Sequence, residues 1–490
     1  MPHSPGPTTR FPSGSHAAAT WTIPADYGGM TSALLRRSRA FAREAGVPVR
    51  VLTFSPDLDA AAARRTLEER GELTDGVTLH HVWEDLRLLP DDAVGATRSR
   101  ATDLPRGADG ELVRTETGPD GDVRRQLHFR ADGTLAAIDD RGDERRVTLY
   151  TRDGRAGRQW GSVWALYRYW LDRVLPERPA YVVVDSKTMV KFFASLRGTD
   201  VYTAHLVHGA HLSAKATDAH GPLTVARTPL VEHLDDFDAV VFLTAGQRRD
   251  VVDRVGERAH AYVVPNGTDL PEGPLPAHEE RYRGAVLASL HGRKRVGQAI
   301  AGVERARDRT GLGLTLDVYG DGPERARVEG LAAKVPGVTL HGYVRGAADR
   351  LADASFLLLT SRAEGLPLVF AEAMSRGCVP IAYDIRYGPA DIITDGVDGF
   401  LVPDGDVDAL AAAIERFVTL DDDAVRRMRE AAVATAQGYS DAAVVARWAD
   451  VLEDVTRRRP QVRRPRPGRR GDRPAWQARL AGMLRRVRWW

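Results

Sequence analysis

Short apolar runs alternate along most of this chain with stretches in which apolar residues return every three or four positions. That pattern predicts strands alternating with amphipathic helices. Thr20 to Ile23 and Val49 to Phe54 read as strands, and between them lie a Gly28-Gly29 turn and an amphipathic helix running to Ala45. Strand, Gly-Gly turn, helix and strand form the opening of a doubly wound α/β domain. The alternation resumes at Ala180 to Asp185, Val201 to Val207, Ala239 to Thr244 and Ala261 to Val264. A Pro-rich linker, Leu270 to His278, separates these from a second series: Ala285 to Leu290, Leu314 to Tyr319, Val338 to His341, Ala354 to Thr360, Val379 to Ala382 and Gly399 to Val402. Two Rossmann-like domains would face each other across a cleft at their strand C-termini, where ligands bind in such sheets.

Between Val77 and about residue 155 the rhythm differs. Gln126 to Arg130 and Val147 to Tyr150 read as short strands next to Asp132-Gly133 and Asp153-Gly154 turns, which predicts an antiparallel β-meander inserted in the first domain. The polar, Gly-rich stretch from Asp91 to Asp120 reads as a loop. The expected organisation is a disordered lead over 1–17, a first domain over 18–270 with its insertion at about 77–155, a second domain over 271–456, and a tail over 457–490.

Composition narrows the function classes. Among 490 residues, 43% hydrophobic and 28% charged is the balance of an ordinary soluble protein. A single cysteine, Cys378, excludes an internal disulfide and a Cys-based zinc site, and its apolar neighbours mark it as a buried thiol. No apolar stretch reaches the ~18 residues of a membrane span. The first residues lack the apolar core of a signal peptide, so a cytoplasmic location is expected.

The candidate chemistry concentrates in the second domain. Glu364 and Glu372 lie eight positions apart, one in the loop after Ala354 to Thr360 and the other about two turns into a helix expected to begin near Pro367. Gly365, Leu366, Pro367 and Leu368 form the loop-to-helix junction, where free backbone N–H groups can meet an anion. Upstream, a strand ends in Gly320-Asp321-Gly322-Pro323-Glu324, and another in Ser289-Leu290-His291-Gly292-Arg293-Lys294. In the first domain, His208 and His211 follow the strand Val201 to Val207. Three Asp-x-Asp matches, at 57–59, 120–122 and 406–408, fall in turns or at a helix start and read as solvated residues.

Together these segments resemble the retaining glycosyltransferases of family four, whose fold is the two-domain GT-B architecture. The E-x7-E pair, the G-x-G-P-E turn and Pro265-Asn266-Gly267 carry the likeness. Tyr387-Gly388-Pro389-Ala390-Asp391-Ile392-Ile393 and the meander narrow it to teichoic-acid, or poly(glycerol phosphate), α-glucosyltransferases and related GlcNAc transferases. The resemblance implies transfer of a hexose, glucose or GlcNAc, from a UDP-sugar to a polyol-phosphate or other glycan acceptor. It implies donor binding by Gly28, Gly29, Arg293, Lys294, Gly320, Gly322, Gly365 to Leu368 and Glu372, with Glu372 on the ribose and Glu364 on the sugar. His211 would assist at the reacting centre with Glu364 and Lys294. His208, Tyr387, Gly388 and Pro389 would stand by the acceptor or behind the first contacts. Ser289 departs from the family, which usually has Arg there, and Arg293 is expected to supply the missing cation. Cations around the diphosphate would make a metal or other cofactor unnecessary. Two other readings stay open: a phosphorylase or epimerase on the same fold, and a non-catalytic partner of a glycosyltransferase.

Charge sets the tail apart. Residues 457–490 hold thirteen Arg and one Asp, a local +12 against a net charge of +2, so the rest carries −10. Trp476, Leu480, Met483, Leu484 and Val487 fall on one helical stripe, with arginines off it and Trp489-Trp490 at the end. A basic amphipathic helix of this kind fits an anionic membrane surface, so a peripheral membrane position is expected rather than nucleic-acid binding.

Overall fold

The computed structural model describes residues 9–96, 103–142, 144–213, 216, 218–271 and 281–459. The linker from 272 and the tail from 460 therefore lie outside the described residues, as does the lead before residue 9. The chain forms two compact units, Met1–His205 with His233–Asp238, and Leu206–Glu232 with Ala239–Trp490.

The first unit is built on β1 (Ser15–Ala19), β2 (Val49–Thr53) and β3 (Val77–His81), which pair in parallel. β1 is five buried residues, SHAAA, so the first strand begins inside the stretch expected as a disordered lead, and not at Thr20. Its small and polar residues hide it from a hydropathy reading. His16 is nonetheless desolvated there, its pKa lowered by burial, with its ring stacked 5.1 Å from that of Tyr181.

Five antiparallel strands form the insertion, in the order of the chain: β4 (Val113–Thr117), β5 (Val123–Phe129), β6 (Leu135–Asp140), β7 (Arg146–Tyr150) and β8 (Ala156–Trp160). Leu127, Phe129 and Leu135 form its small core. The meander thus spans 113–160 instead of about 77–155. The expected start was wrong because β3 lies at an edge of the parallel sheet and has every second residue buried, the pattern of a half-exposed antiparallel strand. β4 also falls within the stretch expected as a loop.

The parallel strands continue with β9 (Ala180–Val184), β10 (Val201–Val207), β11 (Ala239–Phe242) and β12 (Ala261–Val263), giving the sheet order β12-β11-β10-β9-β1-β2-β3. The unit boundary falls inside β10.

The second unit contains β13 (Arg283–Leu287), β14 (Thr315–Tyr319), β15 (Val338–Gly342), β16 (Phe356–Leu359), β17 (Val379–Asp384) and β18 (Phe400–Pro403), in the order β15-β14-β13-β16-β17-β18. Phe356, Leu357, Val379 and Ile381 are buried in its core, as near-continuous apolar runs require of strands covered on both faces. Cys378 belongs to that core, and burial pushes its thiol pKa up. In both parallel sheets the strand order reverses once, between β1 and β9 and between β13 and β16. Such a reversal splits two neighbouring loops apart and leaves a crevice at the strand ends.

Candidate functional site

The loops after β13 and β16 meet at the second reversal. Arg295 stitches them together: its guanidinium donates to the carbonyls of Thr360 (2.7 Å) and Ser361 (2.6 Å) and pairs with Asp404. The same group lies 4.9 Å above the ring of Tyr383. Thr360 Oγ1 donates to the Lys294 carbonyl at 3.0 Å, and the Arg362 N–H donates to that of Arg293 at 2.9 Å. Of the three cations in the Arg-Lys-Arg run, the third is therefore structural, a role its sequence gave no sign of.

Held in this way, Lys294 Nζ reaches Glu364 Oε1 at 2.6 Å, with the side chains 17% and 11% exposed. Arg293, the chain neighbour of Lys294, is exposed, and so is Ser289. Gly320 and Gly322 have φ of 148° and 153°, and a Cβ on them would stand 1.8 Å from the Ala288 carbonyl oxygen and 2.7 Å from that of Leu290. These two glycines let the turn after β14 lie against the loop that carries Lys294.

The Glu364 loop is wedged between two further segments of the same unit. A Cβ on Gly365 would stand 2.2 Å from the His208 carbonyl oxygen, and one on Gly388 (φ 112°) 2.4 Å from Pro367 Cδ. The Tyr387 N–H donates to the Glu364 carbonyl at 3.3 Å. Tyr387 in turn donates its hydroxyl to Asp250 at 2.6 Å, while Asp391 accepts from the Gly246 N–H at 2.8 Å. Gln247 Nε2 donates to the Gly209 carbonyl at 2.9 Å. Burial and the neighbouring Asp250 push the Tyr387 pKa upward.

His211 stacks on Tyr387 at 5.8 Å and is 1% exposed, with no hydrogen-bond partner for either ring nitrogen among the described residues. Burial lowers its pKa to about 4, only partly opposed by Asp250, so the ring is neutral at pH 7. His208 is half-buried, and its backbone carbonyl meets the Glu364 loop.

The structure thus gathers His208, His211, Lys294, Glu364, Gly365, Pro367, Tyr387 and Gly388 around one loop. Glu372 lies in the helix Leu368–Met374, just past its first turn and not two turns in, and is half-buried. Leu366 is half-buried beside Pro367, and Pro389 is buried at the start of the short helix Pro389–Ile392. Gly28 and Gly29 belong to the first unit, at the start of the helix Gly29–Ala45, where a Cβ would meet nothing within 4 Å. Packing does not require glycine at either position. Sequence reasoning missed Gly246, Gln247 and Asp250. Their one available signal is position: they open the helix Ala245–Val255 directly after β11. Among the described residues no helix is long and apolar enough to cross a membrane.

Two parallel sheets of this order, the second with a loop-borne Lys–Glu pair at its reversal and the first carrying an antiparallel insert, define a GT-B fold. A crystal structure of a mutant of S. aureus TarM in complex with fondaparinux, alpha-GlcNAc-glycerol and UDP shares it, with a TM-score of 0.65 over 90% of this chain and 100% of that one, at 16% identity. Within the fold, residues 283–419 match the family described as Glycosyl transferases group 1 and form a domain of that kind. The chain is 32% identical over 245 residues to an exopolysaccharide phosphotransferase of Streptomyces coelicolor, covering 48% of this chain and 25% of that one. It is 25% identical over 298 residues to the poly(glycerol-phosphate) alpha-glucosyltransferase of Bacillus subtilis, covering 59% of this chain and 43% of the relative. The chain therefore spans less than half the length of these two relatives.

Proposed function

We propose that this protein is a glycosyltransferase that moves a hexose, glucose or GlcNAc, from a UDP-sugar to a polyol-phosphate or similar glycan acceptor with retention of configuration. The observation that carries the reading is the Lys294–Glu364 pair at the β13/β16 reversal, inside the group 1 domain. Lys294 and the exposed Arg293 are the cations for a diphosphate, and a guanidinium there offers the bidentate fork that Ser289 cannot. Glu364, once released from Lys294, can accept from sugar hydroxyls. Glu372 is assigned to the ribose. His211, neutral and covered by Tyr387, would position the Glu364 loop, and His208 is the histidine with access to solvent.

Charge developing on the leaving diphosphate would be met by these cations, so the proposal requires no metal. A thermal-shift screen with UDP-, GDP- and ADP-sugars, followed by transfer to a glycerol phosphate oligomer and an NMR assignment of the product anomer, tests the reading. Stabilisation by UDP-sugars and an α-linked product are expected, with activity unchanged by a chelator. Loss of activity on chelation would end the metal-free mechanism, and a β-linked product from an α-linked donor would end retention.

A further inference from the structure

In the second unit, the helix Ala245–Val255 and the segment 386–392 each give the other a carboxylate. Asp250, on the helix, accepts from the Tyr387 hydroxyl at 2.6 Å, and Asp391, on the segment, accepts from the Gly246 N–H at 2.8 Å. Gly246 and Asp250 are four positions apart, so both grips fall on one face of the helix, a turn from each other. Two grips fix the direction of the segment as well as its place. Gly246 lets them close: a Cβ there would stand 3.0 Å from Asp391 Oδ2 and 3.6 Å from Tyr387 Cδ1.

Tyr387 carries this hold to the Glu364 loop. Its side chain is buried, and its hydroxyl bonds to Asp250 alone among the described residues. A neutral carbonyl would satisfy a buried phenol, whereas a carboxylate makes the shorter and stronger bond. Arg386 Nε stands 3.7 Å from the same Asp250 oxygen, beyond hydrogen-bond reach, which leaves that oxygen to the phenol. The ring also stacks on His211, whose nitrogens have no partner of their own, so Asp250 is the fixed point of the stack. From the backbone of the same residue, the Tyr387 N–H donates to the Glu364 carbonyl. The tight contacts of Gly388 with Pro367 and of Gly365 with His208 leave no slack on either side of Glu364. A close-packed contact of this kind passes a displacement on instead of absorbing it.

We propose that Asp250 is a positioning residue for Glu364. Through the Tyr387 hydroxyl it sets where the Tyr387 N–H holds the Glu364 loop, and hence where the Glu364 carboxylate stands. A shift of about 1 Å in a group that aligns the reacting atoms can cost ~10²-fold in rate. The part in catalysis rests on the transferase reading; the hold on the loop does not.

The test uses the full chain, with UDP-sugar turnover and hydrogen exchange of the 361–370 and 386–388 amides measured without ligand. Asp250→Ala and Tyr387→Phe should each lower kcat about tenfold or more, as expected for loss of a hydrogen bond to a charged group. kcat and kcat/KM should fall together, with KM for the donor unchanged. The double variant should lose no more than either single one, because both cut the same link. Asp250→Asn, which still accepts from the phenol, should fall between wild type and Asp250→Ala. Asp253→Ala removes an exposed carboxylate from the same helix and should change nothing. Exchange at both segments should rise in Asp250→Ala and Tyr387→Phe, with circular dichroism confirming the fold. Should Asp250→Ala fail to fold, Tyr387→Phe against wild type carries the comparison. Additive losses, wild-type kcat in Tyr387→Phe, or unchanged exchange there would overturn the proposal. If exchange rises as expected but no form turns over a UDP-sugar, the transferase reading fails and the hold on the loop stands.

Discussion

Single residues divide here into those that hold the loops and those available for chemistry. Glu364→Gln and Glu372→Gln should each cut transfer by ~10²-fold or more, since each removes a charge-assisted contact in a closed site. UDP affinity should fall mainly for Glu372→Gln, and near-wild-type turnover in both variants would contradict the site. His211 gives a pH signature. Its folded pKa of about 4 lies below the ordinary 6.5, so the stability it contributes is complete above pH 6.5 and is lost as the pH falls from there towards 4. His211→Phe keeps a stacking ring without the titration and should reduce the slope of thermal stability over that window, the buried His16, His81 and His128 accounting for part of the rest. An unchanged slope would show that His211 titrates normally. In the first unit, Arg37 binds Asp185 through two hydrogen bonds of 2.9 and 2.7 Å, with the side chains 5% and 0% exposed. Arg37→Ala removes two charge-assisted hydrogen bonds from a buried carboxylate and should cost about 1.5–3 kcal/mol in denaturant unfolding.

At the scale of elements, close backbone approaches decide what can be changed. Gly365→Ala would drive a methyl into the His208 carbonyl, which neither backbone can yield without moving Glu364. Its expected effect is a drop in transfer comparable to that of Glu364→Gln, with the antiparallel insert unaffected by hydrogen exchange. Full activity in Gly365→Ala would mean that the loop has more room than its neighbours suggest. The same scale shows what the sequence revealed. Strands β16 and β17 were legible because burial on both faces writes itself as apolar runs. β1 was not, because Ser15-His16-Ala17-Ala18-Ala19 is buried through small size and ring stacking, neither of which registers as hydropathy. β3 was misassigned because alternation reports one exposed face and not the direction of the neighbouring strand. The loop residues Lys294 and Glu364 were readable from local motifs. Asp250 was not, and Asp391 was legible only as a motif member without its role, since what they do depends on partners more than a hundred positions away.

For the whole molecule, charge is the strongest lever. The helix Asp441–Arg458 takes in the first two arginines expected in the tail, and Arg458 is bound to Asp454 and stacked 5.7 Å from the Tyr262 ring. A truncation should therefore spare this helix and remove 460–490. We expect that deletion to abolish sedimentation with anionic vesicles while transfer to a short oligomer persists, and we expect salt to weaken binding of the full chain. Sedimentation by the truncated protein would assign the membrane contact to the body, against its negative charge. The Lys294–Glu364 pair also bears on how a turnover ends. On the proposed reading, a donor diphosphate would draw Lys294 away and leave Glu364 to accept from the hydroxyls of the sugar. Once the sugar has left, the nucleotide competes with Glu364 for the same ammonium. In that reading, Glu364 would act as a built-in displacer of the spent product, and bare UDP should dissociate faster than intact UDP-sugar, a difference that Glu364→Gln should erase.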